Sequence, residues 1–140
     1  MMVLKGIWAG TASGITLGLF LLAVESVTKI KVYTLLMNVD FVPWLGSINW
    51  PWFMEWFFHL LISWGIGFLF VYVITTRHID VRSSKWLTAS ILAGLAAFSY
   101  VPLTLLASKE TPSLSNLSAV FYWLAGHVLY ALVLNISFKK

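Results

Sequence analysis

The pair of side chains best suited to chemistry in this sequence lies in an otherwise apolar stretch. WFMEWFFHLLISWGIGF (residues 52–68) carries Glu55 and His59 four residues apart. In a helix both side chains project from one face, because residues i and i+4 are neighbours on its surface. A carboxylate and an imidazole on one face could hold a proton, bind a cation or supply two ligands to a metal.

The composition predicts that this stretch lies inside a membrane. Hydrophobic residues make up 60% of the chain and charged residues only 10%, and the mean hydropathy is +0.89. Ordinary soluble domains are about 25% charged. We therefore expect a single integral membrane domain over residues 1–140. The absence of cysteine excludes disulfides, thiolate catalysis and cysteine-ligated metal sites.

Four stretches are long enough to cross a bilayer, which takes about 20 mostly apolar residues. The predicted fold class is all-α: a polytopic membrane protein whose four transmembrane helices form an antiparallel bundle. An external interfacial loop is expected between helices 1 and 2, and Ser113 or Ser115 is expected to cap helix 4. The predicted spans are residues 4–27, 52–75, 86–107 and 116–138.

Lysine and arginine counts predict the orientation. Six of these residues fall on the side of the termini and of the link 76–85, and three fall on the other side. The positive-inside rule then places both termini in the cytoplasm of a bacterium, with the protein in its inner membrane. The net charge of +4 is scattered over loops, so no nucleic-acid partner is expected. The expected partners are the lipid bilayer and either further copies of the chain or a larger membrane complex.

Span one carries a glycine at every fourth position: Gly6, Gly10, Gly14 and Gly18. Such a stripe removes side chains from one helix face and lets a neighbouring helix approach closely. We interpret it as a helix-packing surface.

Five polar residues on the four spans are expected to meet in the outer half of the bundle. Glu25 lies eleven positions after Gly14, which returns the carboxylate to the glycine face. Pro102 is expected to kink span three near Tyr100 and to free a carbonyl there. Polar groups in a bilayer are costly unless they face protein or water, so a shared pocket is the cheapest arrangement. The predicted ligand- or proton-binding residues are Glu25, Glu55, His59, Tyr100 and His127.

Several chemistries remain open for these residues. His59 and His127 could ligate a haem through two imidazoles, or could bind a divalent metal together with Glu55. No GxSxG motif and no phosphate-binding glycine loop is present, so a non-enzymatic role without a cofactor is favoured. The leading hypothesis is a protonatable pocket that binds or passes a proton, a cation or a small amphiphile. The rival hypothesis is a structural or accessory subunit in which the histidines only join helices.

The spans also resemble the YagU-like family of small four-helix bacterial inner-membrane proteins. The resemblance lies in GIWAGTASGITLGLFLLAVE, HLLISWGIGFLFVYV, the proline-containing WLTASILAGLAAFSYVPLTLLASKETPSL and AGHVLYALVLNI. It implies an inner-membrane location, a link to acid resistance, and a match of Glu25, His59 and His127 to the acid and histidines of the family. The segment between spans one and two is shorter here than in the longer members. On topology alone, the chain is also similar to a YqhR-like family.

Overall fold

The structure is a computed structural model that describes residues 1–138. Lys139 and Lys140, two of the cations behind the predicted orientation, lie outside the described residues. The described chain is helical, without strands, and its helices are α1 (Met2–Thr28), α2 (Val32–Leu36), α3 (Trp52–Thr76), α4 (Arg82–Ala97), α5 (Tyr100–Leu106) and α6 (Leu117–Ser137).

Four helical segments in residues 1–138 have the length and apolar composition of membrane spans: α1, α3, α4 with α5, and α6. At about 1.5 Å per residue, the 27 residues of α1 reach roughly 40 Å, more than the ~30 Å hydrocarbon core of a bilayer. The predicted fold class, an all-α membrane protein with a bundle of four spanning helices, is confirmed.

The four spans are arranged around α1, which packs against both α3 and α6. Helix α6 also packs against α4, whereas α3 and α4 touch only sparsely. The order around the bundle is therefore α3, α1, α6, α4, with a gap between α3 and α4. We call the end that carries residues 29–51 and 107–116 the loop end, and the end that carries the chain termini the terminal end.

The glycines of α1 pack closely against α3. A Cβ added to Gly10 would lie 2.5 Å from the backbone oxygen of Ser63, and one added to Gly6 would lie 2.6 Å from the Cα of Phe68. Gly67 on α3 faces Gly6 and Gly10 in the same way. Because lipid tails do not drive apolar side chains together, this backbone-to-backbone packing is what joins two membrane helices.

The third span is broken at Phe98 and Ser99, between α4 and α5. Pro102 has no N–H, and its ring crowds the carbonyl of Phe98 four residues earlier. The N–H of Val101 bonds to Phe98 O at 3.2 Å, and Ala97 O instead accepts the indole N–H of Trp123 at 2.8 Å. The expected kink and freed carbonyl are present, and α6 supplies the missing donor.

Residues 29–51, which we call the covering segment, lie over the loop end of the bundle. Val32 and Leu35 of α2 are fully buried, so α2 packs onto protein with its apolar face. Trp44 is 89% exposed, as expected of an anchor at a membrane surface. Across the same end, α6 begins with Asn116, whose side chain caps the helix by accepting Ala119 N–H at 3.0 Å. The expectation of a Ser113 or Ser115 cap was wrong.

Candidate binding cavity

A cavity of about 680 Å³ fills the gap between α3 and α4–α5. Its two sides are apolar residues of these helices, and its inner wall is formed by residues of α3 and α6 together with Leu17 of α1. Residues 36–45 of the covering segment close the loop end of the cavity. Ile62 on α3 and Leu95 on α4 both line it and are 66% and 69% exposed, so the cavity opens sideways on the apolar flank of the bundle.

The polar groups of the cavity are few and are concentrated on its inner wall and at its loop end. The inner wall carries one residue pair on α3 and another on α6. Glu55 and Asn38 lie nearer the loop end, and Ser99 lies on the opposite side. The inner-wall residues are His59, Ser63, His127 and Tyr130.

The close contact between α1 and α3 at Gly6, Gly10, Gly14 and Gly67 is called the glycine seam below. His59 is hydrogen-bonded to this seam. It is 9% exposed, and its Nε2 lies 3.0 Å from the carbonyl oxygen of Gly14 on α1. A carbonyl can only accept, so Nε2 carries the hydrogen of the neutral ring and Nδ1 keeps its lone pair. The indole of Trp56 packs edge-on against the imidazole, with 6.0 Å between ring centroids. A Cβ at Gly14 would lie 2.7 Å from the Ser63 hydroxyl oxygen, so the missing side chain leaves room for the neighbouring Ser63 on α3.

His127 is fixed by its own helix. Its Nδ1 lies 2.8 Å from the carbonyl oxygen of Trp123, so Nδ1 carries the hydrogen of the neutral ring and Nε2 is left as an acceptor. The Trp123 ring lies against the imidazole with 4.9 Å between centroids. Trp123 is itself anchored through its indole N–H to Ala97 on α4. The proline break in span three therefore helps to position His127.

Ser63 and Tyr130 join three helices. The Ser63 hydroxyl donates to Gly10 O on α1 at 2.7 Å, and the Tyr130 hydroxyl of α6 lies 2.9 Å from the same Ser63 oxygen. Because the only hydroxyl hydrogen of Ser63 goes to the carbonyl, Tyr130 is the donor of the second bond. Both residues are almost completely buried.

Ionic contacts close the loop end of the cavity. Lys109 Nζ lies 2.9 Å from Glu55 Oε1, and both side chains are partly exposed. Asp40 of the covering segment accepts the backbone N–H groups of Ser108 and Lys109 at 2.7 and 2.8 Å. These contacts tie the covering segment and α3 to the loop that precedes α6.

Tyr33 ties the covering segment to α3 by a neutral contact. Its phenol oxygen accepts the indole N–H of Trp56 at 2.8 Å. Burial raises the pKa of Tyr33 above the ordinary 10.0; the Trp56 hydrogen bond opposes this rise, and the nearby carboxylates of Glu55 and Glu25 add to it. The phenol is therefore held neutral.

Two of the five residues expected to share the pocket lie elsewhere. Glu25 accepts the Thr34 N–H at 2.8 Å and the Thr34 hydroxyl at 2.7 Å, because the chain reverses after α1 and brings α2 beside its end. The Tyr100 hydroxyl donates to Ser113 O at 3.1 Å, because the proline break turns this residue toward the α5–α6 loop. Neither residue lines the cavity. The expectation of one site containing all five residues was wrong in this respect.

The proposed metal ligands are not brought together. Within residues 1–138, no three His, Asp or Glu side chains are grouped closely enough to hold a metal ion. The carboxylate of Glu55 is paired with Lys109 instead of facing the imidazoles. One nitrogen of each imidazole is hydrogen-bonded to a backbone carbonyl, and the other has no hydrogen-bond partner in residues 1–138. Ligation of a haem by both histidines therefore stays an untested alternative.

Sequence reasoning left out Ser63, Tyr130, Asn38 and Asp40 as site residues. Ser63 continues the four-residue spacing of Glu55 and His59, and Tyr130 follows His127 by three positions, so both had a periodic signal. Asn38 and Asp40 had none, because their contacts depend on how the covering segment folds back over the bundle. Asp40 contacts backbone 68 and 69 residues away.

Comparison of the chain with protein-family models, curated proteins and solved structures finds no match in any of the three. Its class therefore rests on its own fold and cavity. It is a four-span membrane protein with an apolar cavity between two helices and a polar inner wall.

Proposed function

We propose that the cavity between α3 and α4–α5 binds a single-chain amphiphile taken from the surrounding bilayer. The observation that supports this most directly is an apolar cavity of about 680 Å³ that opens on the flank of the bundle and has polar groups on its inner wall. A cavity of this kind suits a ligand with an apolar chain and a few polar atoms. The chain would lie between α3 and α4, with the head against His59 and His127.

Binding fits the cavity better than passage of a proton or cation. A conduction path needs polar or hydrated groups from one membrane face to the other. Toward the terminal end, the lining residues beyond Ser63 are the apolar Ile66, Leu69 and Leu92. The polar groups therefore do not continue to the terminal end, which supports a binding site instead of a path across the membrane.

The charge distribution supports a bacterial inner-membrane location with both termini in the cytoplasm. Lys5, Arg77, Arg82 and Lys85 belong to the terminal end, and the loop end has only three cations. In this orientation the cavity and the covering segment lie toward the outside. Membership of the YagU-like family, with the acid tolerance that it implies, is a proposal supported by the sequence resemblance alone.

A bulky side chain placed in the cavity tests the proposed function. Ala96 lines the cavity from α4, and Gly94 on the same helix has open space around it. Saturable binding of medium-chain amphiphiles, near one per chain, should be lost in Ala96→Phe and kept in Gly94→Phe. Binding would be followed with radiolabelled ligands on protein in nanodiscs. Absence of saturable binding by wild type, or equal binding by Ala96→Phe, would refute the proposal.

A further inference from the structure

The hydrogen atoms of the inner wall can be assigned one by one, and all of them are already used. Burial of a charge inside the hydrocarbon is costly, so we take both imidazoles as neutral. His59 donates its hydrogen to Gly14 O and His127 donates its hydrogen to Trp123 O. Ser63 donates to Gly10 O, and Tyr130 donates to Ser63.

What remains on this wall is a set of acceptors. His59 Nδ1 and His127 Nε2 keep their lone pairs, and neither nitrogen has a hydrogen-bond partner in residues 1–138. His59 and His127 both line the cavity, so these nitrogens belong to residues that a small molecule in the cavity would meet. The Tyr130 oxygen can accept a further bond, and the Glu55 carboxylate at the loop end is an acceptor only.

The other polar groups of the cavity do not change this excess of hydrogen-bond acceptors over donors. Asn38 Oδ1 accepts Asp40 N–H at 3.1 Å, which fixes the orientation of the amide. Its Nδ2 is a donor without a partner, but it is enclosed by protein and presents no hydrogen to the cavity. The Ser99 hydroxyl can either donate or accept.

From this balance we infer that the ligand is an amphiphile whose head group donates hydrogen bonds, as a hydroxyl or an ammonium does. This inference rests on the proposed function and names its ligand class. A head that only accepts, such as an ether, ester, carboxylate or phosphate diester, would leave the two imidazole nitrogens unpaired beside its own lone pairs. Leaving buried polar atoms unpaired costs binding free energy.

The test compares ligands that differ in one hydrogen-bond donor. Decanol and decyl methyl ether share a chain and an oxygen, but only the alcohol is a donor. On wild-type protein in nanodiscs, the alcohol should bind about tenfold more tightly, which is the expected effect of one or two hydrogen bonds. Decylamine separates the two donor heads: tighter binding than decanol assigns an ammonium, and weaker binding assigns a hydroxyl.

Variants then locate the acceptor. The preference for decanol over its ether should fall in His127→Phe and in His59→Phe, and should persist in His78→Asn, which changes a histidine outside the cavity. Equal binding of decanol and its ether by wild type would overturn the inference while leaving the proposed function intact, and this comparison needs no variant to fold. Persistence of the full preference in both phenylalanine variants would also overturn it. If neither ligand binds saturably, the proposed function fails and the inference fails with it.

Discussion

The hydroxyl oxygens of Ser63 on α3 and Tyr130 on α6 lie 2.9 Å apart, inside the bundle and beside the cavity. The Ser63 hydroxyl in turn donates a hydrogen bond to Gly10 O of α1 at 2.7 Å. Three of the four spans are thus joined at one point, and the fourth span, α4–α5, stays separated from α3 by the cavity. This contact uses both hydroxyl hydrogens of the inner wall.

Loss of the Tyr130 hydroxyl should lower stability. Tyr130→Phe removes a buried donor to Ser63, and a hydrogen bond of this kind contributes about 0.5–1.5 kcal/mol. We expect a lower Tm in detergent, measured by the loss of helical circular dichroism. Tyr122→Phe on the same helix is the matched control and should leave the Tm unchanged. A wild-type Tm for Tyr130→Phe would show that the contact does not join the helices.

A methyl group at the glycine seam should separate α1 from α3. Gly10→Ala places a Cβ 2.5 Å from Ser63 O, and overpacking of this kind costs about 1–3 kcal/mol. The free energy of unfolding in mixed micelles should fall accordingly. Gly65→Ala on α3, where nothing lies within 4 Å, should cost nothing. Equal stability of the two variants would contradict close packing of α1 against α3 at Gly10.

Asp40 should control the order of the loop before α6. Asp40→Ala removes the acceptor of Ser108 N–H and Lys109 N–H, so both amides should exchange hydrogen faster, by about tenfold or more. Hydrogen–deuterium exchange with mass spectrometry measures this on a peptide spanning residues 107–116. Glu110→Ala, a change in the same loop, should leave exchange at the wild-type rate. Unchanged exchange in Asp40→Ala would mean that the two loops are not tied together.

The docking of the covering segment should weaken at high pH. The pKa of Tyr33 is raised in the folded protein, so its contribution is fully present below the ordinary value of 10.0 and is lost as the pH rises above it. Limited proteolysis within residues 38–50 should therefore accelerate above pH 10 in wild type. Tyr33→Phe lacks the titrating group and should show a smaller change over the same pH range. An identical pH dependence in the two proteins would exclude Tyr33 as the cause.

The orientation of the spans can be tested because the chain has no cysteine. Ser47 of the covering segment and Ser83 near the start of α4 are both exposed. In intact spheroplasts, a membrane-impermeant maleimide should label Ser47→Cys. It should label Ser83→Cys only after permeabilisation. The reverse pattern would invert the proposed topology.

The spans and the helix seam could be predicted from sequence because each follows from a local pattern. Long apolar runs identify spanning helices, and the spacing of Gly6 to Gly18 marks the face that meets α3. His59 and Ser63 lie on the face of α3 that packs against these glycines. The Pro102 break also follows from local chemistry, because proline disturbs the carbonyl four residues earlier.

The contents of the cavity could not be predicted in the same way. Helix periodicity places Glu25 on the glycine face, but a carboxylate at a helix end can turn to the nearest donor, and α2 supplies Thr34. The role of Asp40 depends on where an irregular segment folds, which no periodic pattern specifies. The gap between α3 and α4 depends on α6 packing beside α1, a contact between the first and last spans.

The most direct test of the account is to map where an amphiphile contacts the protein. A decanol analogue with a photoreactive diazirine on its chain would be cross-linked to the protein in nanodiscs, and the labelled residues would be identified by mass spectrometry. Labels are expected at Ile62, Ile66, Leu92 and Leu103 around the cavity, and excess decanol should remove them. Labels spread evenly over the lipid-facing surface, with Leu22 and Leu132 modified as often and without competition, would contradict it.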